Sequence, residues 1–395
     1  MTATNGNPAD AQPEATSESA LAAALGASVV FEHVTKRYDT SEAGPGAVND
    51  LSMTIPAGSI CVFVGPSGCG KTTSLKMVNR LIEPTAGRIL IDGRDIQQED
   101  PIELRRRIGY VIQQVGLFPH QSIGENVSVV PKLLGWDAKR RRARSDELLA
   151  LVGLDPARYR DRYPSQLSGG ERQRVGVARA LAVDPPVMLM DEPFGAVDPI
   201  VRERLQDELL RLQEQLARTI LFVTHDIDEA IRLGDLVAVF QTGGILAQFD
   251  TPDAILGAPA SDFVARFVGA DRGLKRLSLS QVADLDPRPA VTGTVGGDAS
   301  EARTRALADP SSPWLLLLDA EARPIGWVHE RRIPLTGVLT EGLADPTEAV
   351  LTPRMSLRDA LSVMLAADVI TGVVVDGDGR ARGVLTVDQV ASALR

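Results

Sequence analysis

Apolar residues along this chain fall into short unbroken runs separated by polar, periodic stretches. "ICVFV" (Ile60 to Val64), the apolar part of "VMLMDEP" (Val187 to Pro193) and that of "TILFVTHD" (from Thr219) have no polar alternation. Such runs predict strands buried on both faces, as in a parallel sheet. From Val29 to about Gly269 strand-like and helix-like stretches alternate, which predicts an α/β domain. Beyond about Ala270 the pattern changes. "DLDPRPAVTGTVGGDASEA" is rich in Pro, Gly and small residues and reads as a linker or loop. "LLLLDAEARPIGWVHERRI" (Leu315 to Ile333) then aligns with "GVVVDGDGRARGVLTVDQV" (Gly372 to Val390). Asp319 matches Asp376, Arg323 matches Arg380 and Gly326 matches Gly383, all at one offset. Each unit reads strand, turn, strand, short helix. "SLRDALSVMLAAD" before the second is amphipathic; the first copy is degenerate and its preceding helix is poorly patterned.

The first buried run leads into chemistry. Gly65, Pro66, Ser67, Gly68, Cys69 and Gly70 follow it, and then Lys71, Thr72 and Thr73 open a helix. A glycine-rich curl at a helix start turns backbone N–H groups inward and binds an anion without side chains. Lys71 adds a point charge for β- and γ-phosphates, and Thr72 offers a hydroxyl to Mg²⁺. The second run ends in two carboxylates. Asp191 is placed to join the Mg²⁺ shell, and Glu192 to polarise a water. The third run ends at His225, at the same sheet edge, where it can meet the γ-phosphate. A further stretch, "LSGGERQRVGVARAL", puts Ser168, Gly169 and Gly170 at a helix start with Glu171 in the first turn. It is a second anion-binding helix terminus in one domain.

Composition narrows the setting. The chain has 395 residues, 44% of them hydrophobic, enough for two or three packed domains. A net charge of −10 and a pI near 5.1 argue against nucleic acid as a partner. The one strongly basic run, "KRRRAR" (Lys139 to Arg144), reads as a solvated helix face. The two cysteines, Cys61 in a strand and Cys69 in the glycine-rich loop, suggest no disulfide and a reducing compartment. No apolar stretch approaches membrane-spanning length. The first 27 residues lack the layout of a secretory signal and read as a disordered tail.

These motifs, in this order, resemble the ATP-binding cassette (ABC) ATPases that power membrane transporters. The resemblance covers about 240 residues and implies a P-loop cassette with a parallel-sheet core and a helical subdomain, spanning 28–270. By resemblance Tyr38 stacks on adenine, Gly65 to Thr73 is the phosphate loop, and Ser168, Gly169 and Gly170 are the signature that touches ATP. Gln113 senses Mg²⁺ and faces the membrane subunit, with Gln114 an adjacent competitor. Asp198 communicates across a dimer and His225 is the switch histidine. One phosphate loop and one signature per chain imply a second copy, because in this family the two face each other across a dimer. The surroundings of the loop, "LKMVNRLIEPT" above all, resemble importers of glycine betaine, proline, choline or carnitine. That implies permease subunits, docked through "LFPH" (Leu117 to His120), and an extracytoplasmic solute-binding protein that the chain serves from the cytoplasmic face of the membrane. The repeats resemble a tandem pair of CBS modules of α+β type, with 271–340 as linker plus degenerate copy and 341–395 as the second. Alternatives are an importer of amino acids or another small solute, and a soluble cassette ATPase of DNA repair or translation. A P-loop kinase would lack the "LSGGERQ" segment, and a structural dimerisation tail would also account for the repeats.

Overall fold

The structure, a computed structural model of the chain, describes residues 26–38, 46–113, 116–195, 197–308 and 313–394. They form two compact units that divide after Phe267. In the first, strands β1 (Val29–Lys36), β2 (Val48–Ile55), β4 (Ala86–Ile91) and β5 (Arg94–Asp95) make an antiparallel sheet in the order β2-β1-β4-β5. A six-stranded sheet in the order β10-β9-β3-β8-β7-β6 combines β3 (Ile60–Val64), β6 (Ile108–Val111), β7 (Val187–Asp191), β8 (Thr219–Val223), β9 (Leu236–Gln241) and β10 (Ile245–Asp250). All its neighbours pair in parallel except β9 and β10. Every residue of β3, β7 and β8 is buried, as their unbroken apolar runs require. The two sheets share one core. Phe31 of β1 meets Phe63 of β3 edge-on at 6.2 Å, and Phe63 meets Phe240 of β9 at 5.3 Å.

A helical region lies between β6 and β7, with helices Ile123–Val127, Val129–Leu133, Ala138–Leu151, Pro156–Tyr159 and Gly169–Ala180. The basic run lies on the third of these, and one of its members is not a solvated charge. Arg144 donates to the carbonyls of Leu181 and Ala182 and, at 2.6 Å, to Asp184 Oδ1. It ties the helical region to the segment that enters β7. At the start of the described chain, Gly26 N–H donates to Ala217 O and Ala27 is buried. Gly26 and Ala27 of the expected tail are therefore packed against the first unit, and its other residues lie outside the described ones. Cys61 and Cys69 are buried and unpaired. No helix among the described residues is long and apolar enough to cross a membrane.

The second unit repeats one motif. β11 (Thr292–Thr294) runs parallel to β12 (Trp314–Leu318), which forms a hairpin with β13 (Pro324–His329), and β14 (Asp345–Pro346) adds an edge. β15 (Val350–Leu351) runs parallel to β16 (Thr371–Val375), which forms a hairpin with β17 (Ala381–Thr386). Asp319 and Asp376 shape equivalent turns, each Oδ1 accepting two backbone N–H groups. The stretch expected to be linker is structured. It supplies β11 and the start of the Ala299–Ala308 helix, while Leu277 and Val282 enter the core of the second repeat.

Candidate ATP-hydrolysis site

Strand order brings the predicted chemistry together. β3, β8, β7 and β6 are consecutive neighbours, so the loops leaving their carboxyl ends lie side by side. The loop after β3 curls through Gly65, Gly68 and Gly70, all at positive φ. A Cβ at Gly65 would strike the Phe240 carbonyl, and one at Gly70 that of Ala47, so the tight turn requires glycine at both. Lys71, only 6% exposed, opens the Lys71–Val78 helix, and its Nζ donates to the Gly65 carbonyl at 2.6 Å and the Pro66 carbonyl at 3.0 Å. The ammonium is thus held within the curl of the loop.

Thr72 Oγ1 donates to Asp191 Oδ1 at 2.9 Å, joining the start of that helix to the end of β7. Asp191 is 4% exposed, and burial raises its pKa against the lowering effects of Thr72 and the nearby lysines. Tyr110 of β6 lies beside this carboxylate. Its own phenol is pushed upward by burial first and by Asp191 second. Glu192 follows with φ +44°, a left-handed conformation that costs a non-glycine residue about 1–2 kcal/mol. Its N–H donates to the Val223 carbonyl of β8 at 3.0 Å. That twist turns the carboxylate between two neighbours. Gln113 Nε2 donates to Glu192 Oε2 at 3.0 Å, and His225 Nδ1 lies 3.5 Å from the same oxygen.

The remaining predicted residues stand apart from this cluster in the single chain. Ser168 caps the Gly169–Ala180 helix in a reciprocal box with Glu171. Asp198 caps the Pro199–Leu216 helix, its Oδ1 accepting from Ile200 N–H at 3.0 Å. Tyr38 is 66% exposed, with the Lys36 ammonium over its ring at 5.2 Å. Gln114 lies outside the described residues. Sequence reasoning missed three supports. Tyr110 stands beside Asp191, each within reach of the other's charge or hydroxyl. Tyr159 OH donates to Glu171 Oε1 at 2.6 Å. Fully buried Asn126 accepts from Phe118 N–H and donates to the carbonyls of Phe118, Gln121 and Ser122, fixing the "LFPH" turn. None belongs to a motif, and only the structure reveals their partners.

A phosphate-binding loop, a buried carboxylate facing a threonine hydroxyl, and a second carboxylate between a glutamine and a histidine define a P-loop ATPase. The model of the ABC transporter family matches residues 48–195, and that of the CBS domain matches 343–395. The chain is 44% identical to the osmoprotectant import ATP-binding protein OsmV of Salmonella typhimurium, over 93% of this chain and 96% of that one. It is 45% identical to the choline transport ATP-binding protein OpuBA of Bacillus subtilis, over 91% and 94%. Its fold matches the ATP-binding cassette MJ0796, solved as a dimer bound to ADP and Pi, with a TM-score of 0.51 and 34% identity. That match covers 57% of this chain and 98% of the other. The chain belongs to the ATP-binding proteins of ABC transporters, and its activity is ATP hydrolysis.

Proposed function

We propose that the chain is the ATPase subunit of an importer for an osmoprotectant such as glycine betaine, choline, carnitine or proline. The names of its relatives and the "LKMVNRLIEPT" stretch support the substrate class. The observation that carries the chemistry is the pair of contacts on adjacent strand ends, Thr72 to Asp191 and Gln113 to Glu192 to His225.

Two hard oxygen donors side by side suit Mg²⁺, and Thr72 and Asp191, with Gln113 nearby, would hold it. When bound, the ion neutralises charge on the β- and γ-phosphate oxygens. The residues do the rest by position and charge. The loop N–H groups and Lys71 hold the phosphates. Glu192 accepts a proton from the water that attacks the γ-phosphorus as the bond to the bridging oxygen breaks, giving ADP and phosphate. Gln113 and His225 fix the direction of that carboxylate. Ser168, Gly169 and Gly170 complete the site from a second copy, with Asp198 at the contact between copies and Tyr38 against adenine.

The chain works at the cytoplasmic face of the membrane on permease subunits, which an extracytoplasmic binding protein supplies with solute. Phe118, half exposed, borders a groove of about 320 Å³ lined also by Leu81, Ile112, Val129 and Val130. This is an apolar seat beside the turn that Asn126 fixes. The test is reconstitution with the permease encoded beside this gene. Glu192→Gln is expected to keep ATP binding and lower kcat by roughly 10²–10³-fold, whereas Lys71→Ala weakens ATP binding itself. Labelled glycine betaine or choline uptake should fall with both. Near wild-type hydrolysis by Glu192→Gln overturns the assigned base, and ATP-driven uptake of none of glycine betaine, choline, carnitine and proline overturns the substrate class.

A further inference from the structure

The Pro199–Leu216 helix and the Ile227–Leu233 helix, with its cap Asp226, are joined by three polar pairs. Arg202 Nη1 lies 3.9 Å from Asp226 Oδ2, Gln206 Nε2 donates to Glu229 Oε1 at 2.9 Å, and Arg232 Nη2 donates to Asp207 Oδ1 at 2.8 Å. The outer pairs are partly exposed. The central pair is buried, with Gln206 on the same helix face as Leu205, Leu209 and Leu212. A leucine would fill such a position without desolvating an amide and a carboxyl, so the polar contact calls for a reason beyond packing. Burial raises the Glu229 pKa, against the lowering effects of the nearby Thr224 hydroxyl and the Gln206 amide.

Each helix begins at a loop of the site. Asp198 caps the first, about two turns before Gln206. Asp226 caps the second, and its N–H donates to Thr224 Oγ1 at 3.1 Å. Between Thr224 and Asp226 stands His225, 3.5 Å from Glu192. Glu229 therefore sits in the first turn of the helix that follows the histidine, beside Thr224, and bonds the helix behind Asp198.

We propose that Gln206 and Glu229 are positioning residues whose buried contact fixes the Asp198 loop to the His225 loop, so that a displacement at Asp198 reaches the histidine beside Glu192. The inference rests on the roles proposed above for Asp198, His225 and Glu192. It assigns part of the coupling between dimer contact and hydrolysis to a path inside one chain.

The test is steady-state ATP hydrolysis by the full chain, with rates normalised to ATP-binding sites. Glu229→Ala and Gln206→Ala are each expected to lower kcat at least about tenfold, with KM for ATP within about twofold and any cooperativity in ATP reduced. Glu229→Gln keeps an oxygen for Gln206 and is expected to stay within about threefold of wild type. If the alanine variants fail to fold, Glu229→Asp and Gln206→Asn, too short to span the gap, are read in the same way. A purely structural role would lower the melting temperature and leave kcat per site unchanged, and that result overturns the proposal. So does a Glu229→Gln enzyme as impaired as Glu229→Ala. Unchanged kcat in these variants beside an inactive Glu192→Gln defeats this inference alone, whereas an active Glu192→Gln defeats the site assignment beneath it.

Discussion

Single side chains here act by holding other side chains in place. Glu171 shows the principle in its protonation. The Tyr159 hydroxyl is the largest cause, and the Ser168 N–H the next, of a carboxyl pKa pulled down to about 2 from an ordinary 4.5. A depressed folded-state pKa adds stability above the unfolded value, and that stability is lost as pH falls from about 4.5 towards 2. Tyr159→Phe removes the main partner and lets the pKa rise. The expected melting-temperature loss is therefore larger at pH 7 than at about pH 3, where both proteins carry Glu171 largely protonated when unfolded. Equal losses at the two pH values in thermal melts would show that Tyr159 acts through packing alone. Asn126 is a second case, with four hydrogen bonds and no exposed surface. Asn126→Leu leaves the Phe118 N–H and several carbonyls without it and should cost about 2–3 kcal/mol in chemical denaturation.

At the scale of elements, legibility followed size and monotony. "ICVFV", the start of "VMLMDEP" and "TILFV" were readable as β3, β7 and β8 because burial on both faces leaves no polar position in the run. The phosphate loop was readable because glycine at fixed spacing has a backbone reason. The Ala299–Ala308 helix, expected before the first repeat, was poorly patterned because it buries only Ala299, Ala302 and Ala306 and shows no large-residue period. The three-residue β11 was hidden for want of length. Gln113 was assigned by resemblance, and only the strand neighbours β6, β7 and β8 explain why it meets Glu192. The loop itself yields a test. Gly70→Ala places a methyl against the Ala47 carbonyl at φ +98°, whereas Gly68 has φ +77° and open space around it. Gly68→Ala should cost only the left-handed penalty of about 1 kcal/mol. Gly70→Ala must move backbone and is expected to abolish ATP binding. Calorimetric titration of both variants with ATP checks the contrast, and equal affinities would mean the loop is not held as described.

At the scale of the whole chain, the question is what the second unit reads. CBS modules that bind adenosyl nucleotides resemble one another after the last strand, with Thr or Ser there and Asp three residues on for the ribose. Here the second repeat has Thr386 and Gln389, and these two bind each other. Thr386 Oγ1 accepts from Gln389 N–H at 3.2 Å, Gln389 Oε1 accepts from Thr386 N–H at 3.1 Å, and Gln389 Nε2 donates to the Asp286 carbonyl. In the first repeat the position belongs to His329, whose Nδ1 accepts from Arg331 N–H at 3.2 Å while its ring abuts Trp314 at 4.9 Å. Both positions are engaged in capping short helices, and neither offers a carboxylate to a ribose. The unit is therefore expected to act through module pairing, ionic strength or a ligand without that ribose contact. A chain truncated after Val268 should keep basal ATP hydrolysis and lose the transporter's response to osmotic or ionic conditions. In the full chain carrying Gly70→Ala, expected to abolish ATP binding at the first unit, calorimetry should detect no micromolar binding of AMP or ATP. Micromolar binding in that variant would overturn the reading of the capped helices, and an unchanged osmotic response after truncation would show that the second unit does not carry that response.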